Sequence, residues 1–163
     1  MNAGRVNAGK VIVGAIVIVA AIAGAFLWYT AERAYYVPVA FQPGAEIRLV
    51  PLTSDQPEAI IVNGIEGIDA DSSPIKFRAC FTTPLTLATL TETYRDYPDA
   101  EPLVAPSGFD CFDAEAIGRA LEIGEALAFL SEPNIHPGVD RVVAVFADGR
   151  AYAWQQLNAQ FKD

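Results

Sequence analysis

Hydrophobic and polar positions divide the chain into two regimes. From Val11 to Tyr29, nineteen consecutive residues read VIVGAIVIVAAIAGAFLWY and none is charged. A helix of that length spans roughly 28 Å, close to the hydrocarbon thickness of a bilayer. Trp28 and Tyr29 close the run, where amphipathic rings settle at a membrane interface. Further along, the pattern shortens into strand-like and helix-like pieces. Residues 46–52 and 59–62 are branched-rich runs, with Asn63-Gly64 predicted as a turn. Residues 75–82 set Ile75, Phe77, Ala79 and Phe81 against Lys76, Arg78 and Cys80, the period of two of a strand.

Thr83 as cap and Pro84 at the first helical position predict a helix running to about Tyr94. Pro98, Pro102 and Pro106 mark a loop. Asp113 predicts a second capped helix, with Ala116, Ile117, Ala120 and Leu121 on one face and Gly124 as its stop. A short strand is expected over residues 125–130. Residues 141–147 and 150–157 flank Asp148-Gly149, a β-hairpin whose glycine supplies the positive φ of a tight turn. The fold class read from this pattern is α+β: one N-terminal transmembrane helix, then a small domain with a mostly antiparallel sheet and two helices. The expected organisation is a lead over residues 1–10, the membrane helix over 11–31, a stem over 32–44 and the domain over 45–163. Pro38 and Pro43 in the stem prevent a long helical continuation.

Charge adds an orientation. Arg5 and Lys10 precede the apolar run, while Glu32 and Arg33 after it cancel. The excess of positive charge before the helix places the N-terminus in the cytoplasm of a bacterium and the domain in the periplasm, anchored in the inner membrane. A cleaved signal peptide is the competing reading, since Ala21-Ile22-Ala23 and Ala23-Gly24-Ala25 both fit a processing site. The apolar run continues through Phe26, Leu27, Trp28 and Tyr29, which is long for a signal core, so an anchor is expected. Within it, Ala20 and Gly24, and likewise Ala21 and Ala25, form small-xxx-small pairs that let a second helix approach closely. The part beyond the helix carries all twenty acids against nine bases, a formal charge of −11. That balance disfavours nucleic acid and suits a basic periplasmic protein as partner.

Cysteine chemistry follows from the compartment. Cys80 and Cys111, the two cysteines of the chain, both lie beyond the helix, where an oxidising environment makes a disulfide the expected state. Their spacing is not that of a Cys-x-x-Cys redox motif. One histidine and two cysteines supply too few nitrogen and sulfur ligands for a closed zinc site. No metal or cofactor is therefore expected.

Other constellations are weaker. Asp69-Ala70-Asp71-Ser72-Ser73 is the densest polar cluster, but a calcium loop would place Gly where Pro74 stands and Glu where Cys80 stands. An Asx-type turn is the expected reading. His136 is the only histidine, and no Gly-x-Ser-x-Gly elbow surrounds Ser72, Ser73, Ser107 or Ser131. No catalytic residue is expected. Tyr152 and Trp154 share one face of the last strand, where core packing is the default and a partner surface the sharper alternative.

Four stretches carry a family resemblance: residues 68–87 (IDADSSPIKFRACFTTPLTL), 109–118 (FDCFDAEAIG), 125–130 (EALAFL) and 134–158 (NIHPGVDRVVAVFADGRAYAWQQLN). Together they resemble an uncharacterised bacterial single-pass membrane family, one sometimes labelled a histidine kinase. The resemblance covers nearly the whole chain and implies an architecture without an activity. The kinase label has no counterpart in the residues, which include no Gly-rich ATP loop. The function expected is a non-catalytic accessory subunit of a larger inner-membrane assembly, of the kind found in respiratory or photosynthetic electron transfer. The alternative is an anchored periplasmic binding or assembly factor, with a pocket near Asp69, Asp71 and His136.

Overall fold

The computed structural model describes residues 8–30 and 35–161. They fall into two compact units, one up to Tyr35 and one from Tyr36 onward. Residues 1–7 of the expected lead, residue 31 of the expected membrane helix and stem residues 32–34 lie outside the described residues. The first unit holds helix α1 (Ala8–Tyr29), 22 residues long and without a buried residue. It is long and apolar enough to cross a membrane.

The second unit is α+β, as the pattern predicts. Its elements are β1 (Val37–Pro38), β2 (Arg48–Leu49), β3 (Glu58–Ala59), β4 (Asn63–Asp69), β5 (Arg78–Thr82), α2 (Leu87–Thr93), α3 (Ala114–Glu122), β6 (Ala126–His136), β7 (Val139–Phe146) and β8 (Arg150–Leu157). Six strands form one antiparallel sheet in the order β1-β4-β5-β8-β7-β6, and β2 pairs with β3 beside it.

Both faces of the large sheet are covered. On one face Phe77, Ala79, Phe81, Phe129, Val143, Val145, Ala151 and Ala153 pack under Ile47, Leu49, Ile60, Leu90 and Tyr94. On the other, Cys80, Ala128, Val142, Ala144 and Trp154 pack under Phe112 and Ile117. The alternation in β5 therefore separates two buried faces, and not core from solvent. Arg78 and Cys80, on the polar side of the pattern, are buried. Period two reports which side a residue takes; it does not report what covers that side.

Several boundaries move for identifiable reasons. The stem is not a stem throughout: β1 pairs with β4, and Val39 N–H donates to the Gly67 carbonyl. A Cβ on Gly67 would meet the Phe41 ring at 2.7 Å, so glycine there admits the chain against the sheet. Helix α2 is capped by Thr86, whose hydroxyl accepts from Thr89 N–H, and not by Thr83. Thr83 is held elsewhere, its N–H donating to the Gly149 carbonyl of the β7–β8 turn. The predicted Asn63-Gly64 turn is instead the start of β4, where Gly64 (φ 60°) sits in a register shift between Asn63 and Glu66.

Strand β6 is nearly twice its expected length and forms a hairpin with β7 through Pro137-Gly138. Pro133 and Asn134 hide it in the sequence. Both lie in a bulged stretch between Glu132 and His136, where Asn134 takes a left-handed φ of 47°. Helix α3 and the β7–β8 hairpin match their predictions. Asp113 accepts from Ala116 N–H at 3.0 Å, and Gly149 takes φ 87°.

Candidate functional site

The face of the sheet under α3 carries most of the polar chemistry. Cys80 on β5 is bonded to Cys111 in the segment before α3, with Cα atoms 6.3 Å apart. The expected pairing is thus the one present, and it ties the second covering layer to the centre of the sheet. Glu66 stands directly opposite Cys80 on the neighbouring strand. Its proximity to the cysteines has no signal in the sequence, because thirteen residues lie between it and Cys80 along the chain and only strand pairing brings them together.

Arg78, two residues before Cys80 on β5 and on the same face, supports the same layer. Its Nε donates to the Leu103 carbonyl at 2.7 Å, and its Nη atoms donate to the carbonyls of Ile75, Phe77 and Val104 at 2.8, 2.7 and 3.2 Å. The guanidinium also lies 5.7 Å from the Phe112 ring centroid. Burial pushes its pKa down to about 10, against a smaller opposing effect of Tyr36 and Asp69. Arg78 is thereby the pin that fastens the Pro-rich segment to the sheet.

A second polar group centres on Asp140 of β7, which is buried. Its carboxylate accepts from Tyr97 Oη at 3.1 Å, Asn134 N–H at 2.8 Å and Asn158 Nδ2 at 3.0 Å. Gln156 continues the network: its Oε1 accepts from Trp154 Nε1 at 2.9 Å and Glu101 N–H at 2.8 Å, and its Nε2 donates to the Asp99 carbonyl. Burial, then the Asp140 charge, push the Tyr97 phenol well above its ordinary range. The group borders a notch of about 540 Å³. Its donors and acceptors are turned on each other, which suits holding the loop, β6 and the C-terminal turn in register.

On the opposite face, Arg141 lies 4.0 Å from the Phe77 ring centroid and 3.7 Å from the Glu132 carboxylate. Burial lowers its pKa, with Glu132 and Asp69 acting the other way. Its Nε is buried without a hydrogen-bond partner.

The residues singled out from sequence do not gather. The acidic cluster forms a turn, closed by Ser73 N–H donating to the Ala70 carbonyl at 3.4 Å and not by the Asx-type bond expected: Asp69 accepts from the adjacent Ala70 N–H at 2.8 Å, and Ser72 accepts from Lys76 Nζ at 3.1 Å. His136 is exposed at the β6–β7 turn. Between β4, which carries Asp69, and β6, which carries His136, stand β5, β8 and β7. At about 4.8 Å per strand that is on the order of 19 Å. The expected pocket near Asp69, Asp71 and His136 is not formed, because the sheet order puts β4 and β6 on opposite sides. Ser131 donates to the Arg48 carbonyl and is buried.

Trp154 has no exposed surface, which corrects its reading as part of a partner surface. Its indole packs at 6.2 Å from the Phe112 ring, and Tyr152 packs edge-on against Phe112 and Phe146. Ala20, Ala21, Gly24 and Ala25 all lie within α1 and are exposed.

A concavity of about 790 Å³ opens between α3, the loop carrying Tyr97 and Pro102, and β6. Its lining includes Asp96, Glu115 and Glu122, with Arg119 paired to Glu115 at 3.1 Å. The apolar part is supplied by Leu121, Leu127 and Phe129.

Neither a curated protein nor a solved structure matches the chain. The disulfide, both covering layers and every strand but β1 fall within residues 47–163, the span matched by the model of DUF6446, a family of unknown function, and the chain belongs to that family.

Proposed function

We propose that the chain is a non-catalytic accessory subunit of a larger bacterial inner-membrane complex, anchored by α1 with its N-terminus in the cytoplasm and its domain in the periplasm. The observation that carries this reading is α1 itself. It is a 22-residue apolar helix with no residue buried by its own chain, and Ala20/Gly24 and Ala21/Ala25 stand at the i,i+4 spacing of close helix contacts. Arg5 and Lys10 support the orientation. The charge of −11 beyond the helix and the carboxylates around the 790 Å³ groove support a basic periplasmic partner. An electron-transfer complex that works with a basic cytochrome is the host this charge would suit.

The test is affinity purification from membranes solubilised in mild detergent, with identification of accompanying chains. A stoichiometric integral membrane partner is expected; recovery of the chain alone across several mild detergents would sink the reading. The groove also favours a second reading, an anchored factor that binds clients transiently. Under that reading chemical crosslinking in intact cells captures a partner that detergent extraction loses.

A further inference from the structure

The surroundings of the disulfide go beyond the accessory role and do not depend on it. Glu66 and Cys80 are directly opposed on adjacent antiparallel strands, which brings their Cβ atoms to about 4.5–5.5 Å. Cys111 reaches the same point from the segment before α3. A carboxylate oxygen of Glu66 and both sulfurs lie within 4.8 Å of one another. Cys80 is buried, whereas Cys111 is half-buried and lines a groove of about 480 Å³ with Ile117, Arg150 and Tyr152. Two sulfurs and one carboxylate are a donor set suited to zinc, which takes thiolates at about 2.3 Å and carboxylates at about 2.0–2.2 Å. A tetrahedral ion with those bond lengths needs its ligand atoms roughly 3.5–3.8 Å apart. Parting the sulfurs and a side-chain adjustment of Glu66 or Cys111 reach that spacing.

We propose that Glu66, Cys80 and Cys111 form a redox-gated zinc site, closed to metal as the disulfide and binding one Zn²⁺ as the dithiol, with water in the fourth position. The reductant is a dithiol protein or small dithiol. Its thiolate attacks Sγ of Cys111 from the groove, and the S–S electron pair leaves on Sγ of Cys80. The reductant's second thiol resolves the mixed disulfide, so the reductant ends as a disulfide and the chain as two thiols. Zn²⁺ then displaces two protons and is held by two thiolates and the Glu66 carboxylate.

The test uses the chain in detergent, reduced with a phosphine and titrated with Co²⁺ as a zinc probe. One equivalent with thiolate-to-metal charge-transfer absorption is expected, displaced by Zn²⁺, with none in the oxidised chain. Glu66→Ala weakens binding at least about tenfold, while Glu92→Gln on α2 leaves it unchanged. In parallel, Zn²⁺ shifts the equilibrium with a glutathione buffer, a monothiol that competes less for the metal than a dithiol, toward the reduced chain, and Glu66→Gln diminishes that shift. The proposal is overturned if the reduced chain keeps its far-ultraviolet spectrum and binds no Co²⁺, or if Glu66→Ala binds as tightly as the parent. It is equally overturned if reduction unfolds the domain and metal does not restore it.

Discussion

Asp140 shows how much one buried side chain organises. It accepts from Tyr97, Asn134 and Asn158, three groups from separate parts of the chain. Truncation leaves those donors turned toward a space without an acceptor, which costs far more than the net worth of one hydrogen bond. Asp140→Ala should destabilise the domain by about 3 kcal/mol, read as a lower urea midpoint. Asp140→Asn should cost less, since the amide oxygen still accepts.

The tyrosines set the alkaline limit. Burial and a hydrogen bond to Glu58 push Tyr94 up to about 12, and Tyr97 is raised by burial and Asp140. A phenol whose folded pKa is raised contributes stability that is complete below its unfolded value near 10. That stability is lost as pH climbs through the folded value, because the unfolded chain sheds its protons first. Stability should therefore fall from about pH 10 upward. Phenolate absorbance from two of the six tyrosines should appear only as the fold is lost. Tyr94→Phe leaves the onset to Tyr97 but makes the fall shallower, because one fewer proton is released on unfolding, and an unchanged slope would count against Tyr94.

At the scale of elements, the Cys80–Cys111 bond and Arg78 fasten the layer over the second face of the sheet, beside the Asp140 and Gln156 contacts to its loop. The disulfide closes a loop with a sequence separation of 31 residues, worth roughly 3–4 kcal/mol in the chain-entropy view. A Cys80→Ser/Cys111→Ser double substitution should lower stability by about that amount. It should also raise hydrogen exchange first across the segment from Phe109 through α3, while the β7–β8 hairpin stays protected. Uniform loss of protection would contradict this division. Helix α3 and the β7–β8 hairpin were legible in the sequence because their signals are local: Asp113 and Gly124 bracket the one, Asp148-Gly149 turns the other. Strand β4 and the far half of β6 were not. Their glycines, Pro133 and Asn134 read as breakers, and only pairing across the sheet makes them bulges.

For the whole molecule, the acidic domain and the apolar helix separate the two proposed contacts. Gly24 on α1 offers nothing for its own fold, so Gly24→Ile should leave the domain's thermal midpoint unchanged. It should nevertheless deplete the membrane partner in the purification, because a branched side chain holds the helices apart. Unaltered recovery of the partner would move the contact to another face of α1 or to the domain.

The amino-acid sequence alone determined that an apolar helix of spanning length leads into an acidic α+β domain, and it pointed to Cys80 with Cys111. Those features follow from contiguous hydropathy, from composition and cysteine count, and from local turn chemistry, none of which depends on strand pairing. Tertiary structure alone decided that Trp154 is core, that Arg78 is buried under a Pro-rich segment, and that Tyr36 to Phe41 belong to the domain. It also separated Asp69 from His136 and set Glu66 against the disulfide. Which strands become neighbours, and what covers each face, depends on energies summed across the folded chain. No window of sequence contains that sum.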